Sequence, residues 1–271
     1  MPYTREPRPR IALLNLNRGF EIKFLLDPNK VLNTDHELNL SGLTPPLTNT
    51  KTTKINVMFM DTGEKTFYGA HWSARIRKKE HSHNFELTYK KRYKVEDEKI
   101  CAALKMATSD GFNTSSDKYD TQIEWGYKDM TLSVSHEKEV SDSGLDSPSL
   151  PEGKARGMIV DNAPELFMKC GGENWKDKMR VYGPIFATRL TGEWDGNKLT
   201  VEVWPIKIRD PVEPSFKANT LEYIVEASIK ADTKDVDTAR IKRSALEISL
   251  SEKGWLCLRD ILKTKLVLDN Y

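Results

Sequence analysis

The sequence is poor in the features that define several common classes of protein. It has only three cysteines, Cys101, Cys170 and Cys257, and they lie far apart along the chain. An odd number of widely separated cysteines provides neither a zinc-ligand pair nor a disulfide framework. No apolar run approaches the roughly 20 residues of a membrane-spanning helix. We therefore expect a protein of a reducing compartment that has no membrane partner.

A dominant charge sign is also missing. The 271 residues include 42 Lys or Arg and 40 Asp or Glu, which gives a formal net charge of +2. Nucleic-acid-binding domains carry a clear excess of basic residues, so we expect no nucleic-acid partner. The first ten residues are basic but no apolar segment follows them, which is unlike a secretory signal. Together with the cysteines, this pattern predicts a cytoplasmic location.

Motifs of the common catalytic families are absent as well. The sequence has no Gly-rich loop of the Walker A or dinucleotide-binding type, and no serine or cysteine nucleophile in a local signature. His81 and His83 resemble a pair of metal ligands, but their hydrophilic neighbours are typical of a hairpin tip. The chemistry therefore has to come from charged residues on regular elements.

Strand patterns dominate what is present. Nine runs are rich in β-branched and aromatic residues and are bounded by turn residues; they cover 20–26, 54–61, 71–79, 85–93, 121–127, 130–138, 185–194, 198–207 and 221–230. Short connections, such as the turn at 195–197, indicate antiparallel hairpins. Helical patterns are limited to 95–107 and to a segment after Asp237 that ends near Gly254.

These elements predict a mainly β fold of the α+β class. We expect a single domain over residues 1–271, built as an antiparallel, eight-stranded, tunnel-like β-barrel with flanking helices. The stretch 139–154 has four Ser and two Pro between strand patterns, so we predict a flexible insertion there.

Charged side chains occupy one face of most of these strands. Residues i and i+2 of a strand point to the same face, so Glu21 and Lys23 project together, opposite Phe20 and Ile22. The same alternation pairs other polar residues on one face: Arg75 with Arg77, Lys90 with Arg92, Gln122 with Glu124, Glu202 with Trp204, and Glu222 with Glu226. Such faces are ordinarily exposed to solvent in antiparallel sheets. If helices cover the apolar faces, the charged faces line the inside of a barrel.

A barrel of about eight strands leaves room for side chains or for one small ligand. Arg and Lys inside it would grip phosphate oxygens. Glu side chains would hold Mg²⁺ or Mn²⁺, which prefer oxygen ligands and bridge to phosphate. The charged faces therefore indicate a phosphorylated small-molecule substrate and a divalent metal cofactor.

Several short motifs resemble the CYTH, or triphosphate tunnel metalloenzyme, superfamily. Its pattern is Glu-x-Glu-x-Lys in the first strand, then strands with Asp-Thr, Arg-x-Arg and Glu-Leu-Thr-x-Lys. The corresponding segments, in the same order and with similar gaps, are Glu21-Ile22-Lys23, Asp61-Thr62, Arg75-Ile76-Arg77 and Glu86-Leu87-Thr88-Tyr89-Lys90. An acidic late strand with Glu226 is also similar. The departure is Gly19, which stands where the family has its first Glu.

The resemblance implies roles for the matching residues. The expected phosphate ligands are Lys23, Arg75, Arg77 and Lys90, to which strand alternation adds Arg92 and Arg189. The expected metal ligands are Glu21 and Glu226, to which alternation adds Glu124. The expected catalytic carboxylates are Glu21 and Glu226, to which alternation adds Glu202.

Three functions stay open on these residues. The favoured one is a terpene (sesquiterpene) cyclase that ionises a prenyl diphosphate such as farnesyl diphosphate. Trp204 would stabilise a carbocation on the substrate tail, and the incomplete first motif at Gly19 is similar to that of divergent superfamily members with such activity. The second is a metal-dependent phosphatase of tri- or diphosphates, inorganic or nucleotide. The third is an inactive module that binds polyphosphate.

Overall fold

The computed structural model describes residues 16–114, 118–141, 152–208 and 220–271. Within these ranges the chain forms nine strands and eight helices. In chain order they are β1 (Phe20–Leu26), α1 (Pro28–Val31), β2 (Thr48–Thr62), α2 (Thr66–Gly69), β3 (Trp72–Lys79), β4 (Asn84–Val95), α3 (Ile100–Ser109), β5 (Asp120–Trp125), β6 (Met130–Ser141), α4 (Glu152–Asp161), α5 (Glu165–Cys170), α6 (Trp175–Lys178), β7 (Met179–Trp194), β8 (Asn197–Lys207), β9 (Leu221–Ala231), α7 (Val236–Glu252) and α8 (Lys263–Asn270).

The nine strands close into one barrel in the order β1-β5-β6-β4-β3-β2-β7-β8-β9. Eight of the nine contacts are antiparallel, and β1 pairs with β5 in parallel. The predicted eight-stranded, antiparallel barrel is therefore wrong in strand number and in one pairing. The two errors have one cause, because directions cannot alternate all the way around a closed ring that has an odd number of strands.

All nine runs predicted as strands occur as strands, and the two predicted helices occur as α3 and α7. The predicted insertion at 139–154 overlaps the end of β6 and the start of α4. Its central part, 142–151, lies outside the described residues, so its flexibility stays a prediction, as does the single domain.

The main apolar core lies between the barrel wall and the helices outside it. The outward positions of the strands are apolar, as in β1, where Phe20, Ile22 and Phe24 are fully buried. Helix α3 contacts β4 and β6, α4 contacts β3 and β7, and α7 contacts β1. Helix α7 begins after Asp235, whose carboxylate accepts the N–H of Thr238 at 3.1 Å. Because helices cover the apolar faces, the charged faces point inward.

The inside of the barrel is polar over only part of its length. A second apolar cluster fills inward positions at one end, and α8 adds Val267 and Leu268 to it; the strand residues are Leu25, Ile55, Val57, Phe59, Tyr182, Ile185, Ala187, Trp204, Ile206 and Ile224. Apolar packing and α8 therefore close this end of the barrel. No helix within the described ranges is long and apolar enough to cross a membrane.

Candidate functional site

A cavity of about 380 Å³ occupies the polar part of the barrel. Nine cationic and five acidic side chains line it, an excess of four positive charges. The cationic residues are Lys23, Arg75, Arg77, Lys90, Arg92, Arg189, Lys198, Lys230 and Lys263, and the acidic ones are Glu21, Glu124, Glu137, Glu202 and Glu226. An interior of this composition suits a small anion with several charges.

Every residue predicted for the site from the sequence lines this one cavity. These residues are Glu21, Lys23, Arg75, Arg77, Lys90, Arg92, Glu124, Arg189, Glu202, Trp204 and Glu226. Seven different strands supply them, and the strict alternation of each strand turns the right side chain inward. The structure thus brings the predicted set together, while the individual roles remain predictions.

One group of charges is centred on Glu124, whose side chain is 5% exposed. Its two oxygens accept the ammonium groups of Lys23 at 2.8 Å and Lys90 at 2.7 Å, and Arg92 lies 3.7 Å away. Burial would raise the pKa of Glu124, but these cations hold it well below its usual range. Burial also opposes the charge on Lys23, yet Glu124 and Glu21 raise the pKa of Lys23 above its ordinary value. Three cations therefore share one ionised carboxylate.

A second group is centred on Glu202. Arg189 donates from Nε and Nη2 to Oε1 at 2.9 and 2.5 Å, while Lys263 Nζ and Trp204 Nε1 donate to Oε2 at 2.7 and 2.9 Å. Lys263 also reaches Glu226 Oε1 at 2.8 Å. Burial would raise the pKa of Glu202, but Lys263 and Arg189 hold it well below its usual range. This group has two cations for two carboxylates and is balanced.

Arg75 and Arg77 share a face of β3 but differ in their partners. Arg77 donates from Nε to Glu86 Oε2 at 2.7 Å, and Lys79 pairs with the same carboxylate. Arg75 donates only to the hydroxyl of Thr88 at 3.1 Å, and its buried Nε has no hydrogen-bond partner within the described ranges. Burial and the neighbouring Arg77 lower the pKa of Arg75 to about 10. Arg75 is thus a partly buried cation that forms no ion pair within the described ranges, although Glu137 and Glu202 attract it from a distance.

The predicted metal ligands Glu21, Glu124 and Glu226 do not form a metal site in this arrangement. No three His, Cys, Asp or Glu side chains in the described part of the chain come together in a group that could hold a metal ion. Glu124 and Glu226 face ammonium groups instead, and Glu21 lies 4.0 Å from Lys23. The residues present therefore do not fit a resident Mg²⁺ or Mn²⁺, and the cofactor stays a prediction from sequence.

Sequence reasoning missed Lys263, which pairs with both Glu202 and Glu226. It is the first residue of α8, a short helix whose sequence has no clear amphipathic pattern, so no signal marked it. Alternation in β8 and β9 could have added Lys198 and Lys230. Both are exposed, and Lys230 lies four residues, about 13 Å, along β9 from Glu226. These two lysines therefore mark the end of the cavity opposite α8.

The Asp61-Thr62 motif lies outside the cavity. The Asp61 side chain is buried, and it accepts the backbone N–H groups of Thr62, Phe67 and Tyr68 at 2.7, 3.0 and 2.8 Å. These bonds fix the turn that leads into α2. The part that Asp61 plays is therefore structural.

Comparisons with known proteins bear on the fold. HpAC1 of Hippeastrum, a proposed adenylyl cyclase described as having a dominant triphosphatase activity, is 15% identical, with a TM-score of 0.50 over 93% of this chain and 99% of that protein. A proposed adenylate cyclase of Bacillus halodurans is 11% identical, with a TM-score of 0.44 over 91% of this chain and 95% of its own. The sequence matches no protein-family model and no curated protein. The closed barrel of this chain thus has the same fold as HpAC1, in agreement with the tunnel-like barrel that the motifs predicted.

Proposed function

We propose that this chain binds a triphosphate or diphosphate group inside the barrel and hydrolyses it. The observation that carries the proposal is Arg75, a guanidinium deep in the cavity whose Nε has no partner among the described residues. A cation held away from water without a counter-ion is unfavourable, so an anion that enters the cavity would supply the missing charge partner. The excess of four cationic side chains favours a polyanion over a single carboxylate.

A protein of the same fold supports the phosphatase over the cyclase. HpAC1 is described as having a dominant triphosphatase activity, and its fold matches over almost the whole of this chain. This similarity extends to the fold alone, so the substrate class for this chain is argued from its own cavity.

Binding would use the donors that the protein leaves free. Within the described ranges the Arg75 guanidinium makes one hydrogen bond, to Thr88, and the ammonium groups of Lys23 and Lys90 each have three N–H donors, of which Glu124 takes one. Lys198 and Lys230 at the opposite end are exposed and would attract the anion toward the barrel. A linear chain of phosphates would thus contact cations along the length of the polar cavity.

Hydrolysis of tripolyphosphate breaks one P–O bond, adds water, and releases orthophosphate and diphosphate. We assign the orientation of the attacking water to Glu21, since its one ion pair among the described residues is a long one, to Lys23 at 4.0 Å. Guanidinium and ammonium groups would neutralise charge that develops on the leaving oxygen. Glu202 and Glu226 are held by Lys263, so we assign them a positioning role instead of the catalytic one predicted from sequence.

The cyclase favoured from the sequence finds no support in the cavity. Its proposed carbocation would need the face of Trp204, but Lys263 Nζ already lies 4.6 Å from that ring's centroid. Of the 25 residues that line the cavity, only Phe59, Trp204, Ile261 and Leu262 are large apolar residues. A prenyl tail would therefore lie against charged groups.

The second candidate is the binding module that does not catalyse. Gly19 lacks the carboxylate of the family motif, and three of the five acidic residues in the cavity are paired with lysine at 2.8 Å or less. If Glu21 does not activate water, the same cations would bind polyphosphate without turnover.

A parallel assay separates these functions. The protein is incubated with tripolyphosphate, ATP and farnesyl diphosphate, each in EDTA and in Mg²⁺, while phosphate release and organic-extractable products are measured. We expect orthophosphate from at least one polyphosphate and no terpene. The Glu21→Gln variant should lose roughly 100-fold or more of the rate, as for loss of a general base, and should still bind tripolyphosphate.

Three outcomes would contradict this assignment. A hydrocarbon or terpene alcohol in the organic extract would support the terpene cyclase hypothesis instead. Tight polyphosphate binding without any release of phosphate would favour the binding module that does not catalyse. A Glu21→Gln variant with full activity would remove Glu21 from the mechanism even if hydrolysis were found.

A further inference from the structure

The carboxylate of Glu202 has no coordination site left for a metal ion. An ionised carboxylate has about four lone-pair positions. Four hydrogen bonds occupy them here, two from Arg189 to one oxygen and one each from Lys263 and Trp204 to the other, all between 2.5 and 2.9 Å. A cation could coordinate Glu202 only if at least one of these donors left.

Lys263 is fixed in this place from both directions along the chain. Three residues earlier, the Asp260 carboxylate accepts the backbone N–H groups of 127, 128 and 129 at 2.7 to 2.9 Å. Gly126 permits this approach, because a Cβ at that position would overlap the Asp260 carboxylate. After Lys263, the buried Val267 and Leu268 anchor α8 in the apolar cluster. The ammonium group is therefore held between Glu202 and Glu226 by the fold.

Gly19, where the family motif has its first Glu, gives independent evidence against a metal site. Gly19 has a φ of +65°, and a Cβ there would lie 2.6 Å from the backbone carbonyls of Ala231 and Thr233. Both neighbours are backbone atoms, which cannot move aside as a side chain does. The backbone before β1 therefore has no room for a glutamate, so the fold excludes the first carboxylate of the family motif, and the Glu202 carboxylate beside Glu226 is already saturated.

We propose that Lys263 is a built-in counter-cation that takes the place of a divalent metal ion between Glu202 and Glu226, so that the barrel binds its anion without a resident metal. The anion part of this statement rests on the proposed function, while the statement about the metal does not. Lys263 neutralises the two carboxylates at distances of 2.7 and 2.8 Å, as a bridging cation would. The remaining cations then face the anion directly.

Mn²⁺ binding tests the proposal without substrate. The full chain is titrated with Mn²⁺ and free Mn²⁺ is followed by electron paramagnetic resonance, with calorimetry as a second measurement. We expect no tight Mn²⁺ site in the wild-type protein. Lys263→Met, which keeps the length of the side chain and removes its charge, frees Glu202 and Glu226 and should bind Mn²⁺ at least roughly tenfold more tightly than wild type.

Matched variants locate the effect. Lys265→Met removes an exposed lysine from the same helix, where it pairs with Asp269, and should bind Mn²⁺ like wild type. Adding Glu226→Gln to Lys263→Met should abolish the gained site. Should Lys263→Met fail to fold by circular dichroism, Lys263→Arg, which keeps the charge, and the wild-type titration decide the question.

Several results would overturn the proposal. The first is a tight Mn²⁺ site in wild-type protein that is lost in Glu226→Gln, and the second is an unchanged Mn²⁺ affinity in folded Lys263→Met. Calorimetry with tripolyphosphate supplies the third: a wild-type protein that binds it in Mg²⁺ but not in EDTA. If tripolyphosphate does not bind under either condition, the proposed function fails, and the Mn²⁺ titrations still decide the role of Lys263.

Discussion

Replacing Arg75 with methionine should make the free protein more stable and its anion binding weaker. Arg75 lies in the cavity with the hydroxyl of Thr88 as its hydrogen-bond partner. Because burial and Arg77 lower the pKa of Arg75 to about 10, its charged form is disfavoured in the fold. Removing the charge relieves this cost and removes a donor that an anion would use.

The pKa gives the size of the effect. At about 1.4 kcal/mol for each factor of ten, a guanidinium pKa lowered to about 10 corresponds to about 3 kcal/mol, and water in the cavity reduces this. We expect Arg75→Met to raise the free energy of unfolding by about 1 to 3 kcal/mol at pH 7. It should also weaken tripolyphosphate binding roughly 10- to 100-fold, the value of a hydrogen bond to a charged group.

Urea unfolding in phosphate-free buffer measures the first quantity, and calorimetry with tripolyphosphate measures the second. The stability difference should also depend on pH. Above about pH 10 the folded wild-type protein loses the proton of Arg75 while the unfolded chain keeps it, so wild-type stability rises with pH and the difference between the proteins shrinks.

Arg77→Met is the matched control, because Arg77 lies two residues away on the same face and is paired with Glu86. Its removal leaves Glu86 with fewer partners and should destabilise the protein. If Arg75→Met destabilises as much as Arg77→Met, the claim that Arg75 lacks a counter-ion is refuted. Unchanged tripolyphosphate affinity in Arg75→Met would refute its role in binding.

Three further predictions concern stability. Asp260→Ala removes the acceptor of three backbone N–H groups and should lower the urea-derived free energy of unfolding by about 1 to 3 kcal/mol. The pKa values of Glu124 and Glu202 are held well below the usual range, so these ionised carboxylates stabilise the fold. Their contribution to the free energy of unfolding is complete above the ordinary carboxyl pKa of about 4.3 and is lost as the pH falls below it. Urea unfolding at a series of pH values measures this loss. Gly19→Ala should lower the melting temperature more than Gly254→Ala, because both glycines have a φ of +65° but a Cβ at Gly254 meets no atom within 4 Å.

Each of these three stability predictions would be contradicted by one specific result. Asp260→Ala with wild-type stability would mean that water replaces the three bonds without cost. A flat stability profile between pH 5 and 3 would show that the carboxylates have ordinary pKa values in the fold. Equal melting temperatures for the two glycine variants would remove the steric argument at Gly19.

Much of the site could be predicted because the alternation of polar and apolar residues in a strand shows which side chains share its inward face. Once the apolar face of a strand is identified, alternation alone assigns the other side chains to the inside of the barrel. This holds for Glu21 and Lys23 in β1 and for Glu202 and Trp204 in β8. Part of the sheet also follows from local patterns, since five of the nine pairings join strands that are consecutive in the chain. The parallel pairing of β1 with β5 could not be predicted in this way, because strands some 100 residues apart in sequence form it.

The apolar end of the barrel and Lys263 were missed for a different reason. Ile55, Val57 and Phe59 point inward, but the opposite face carries Met58 and Met60 beside Asn56, so alternation does not show which side is the interior. Lys263 enters the barrel from a helix that the strand pattern cannot locate. Its position depends on the anchoring of Asp260 and α8, which are tertiary contacts.

The distribution of charge partners determines which cations of the cavity are available to bind an anion. At the end near α8, Arg189 and Lys263 are balanced by Glu202 and Glu226, so an anion arriving there would have to compete with existing ion pairs. The Glu124 group has three cations for one carboxylate. Arg75 adds a further cation, which forms no ion pair with any residue that the structure describes. We therefore expect a polyphosphate to gain most from contacts with Arg75 and with the cations around Glu124, which it can bind without breaking an ion pair that the fold already contains.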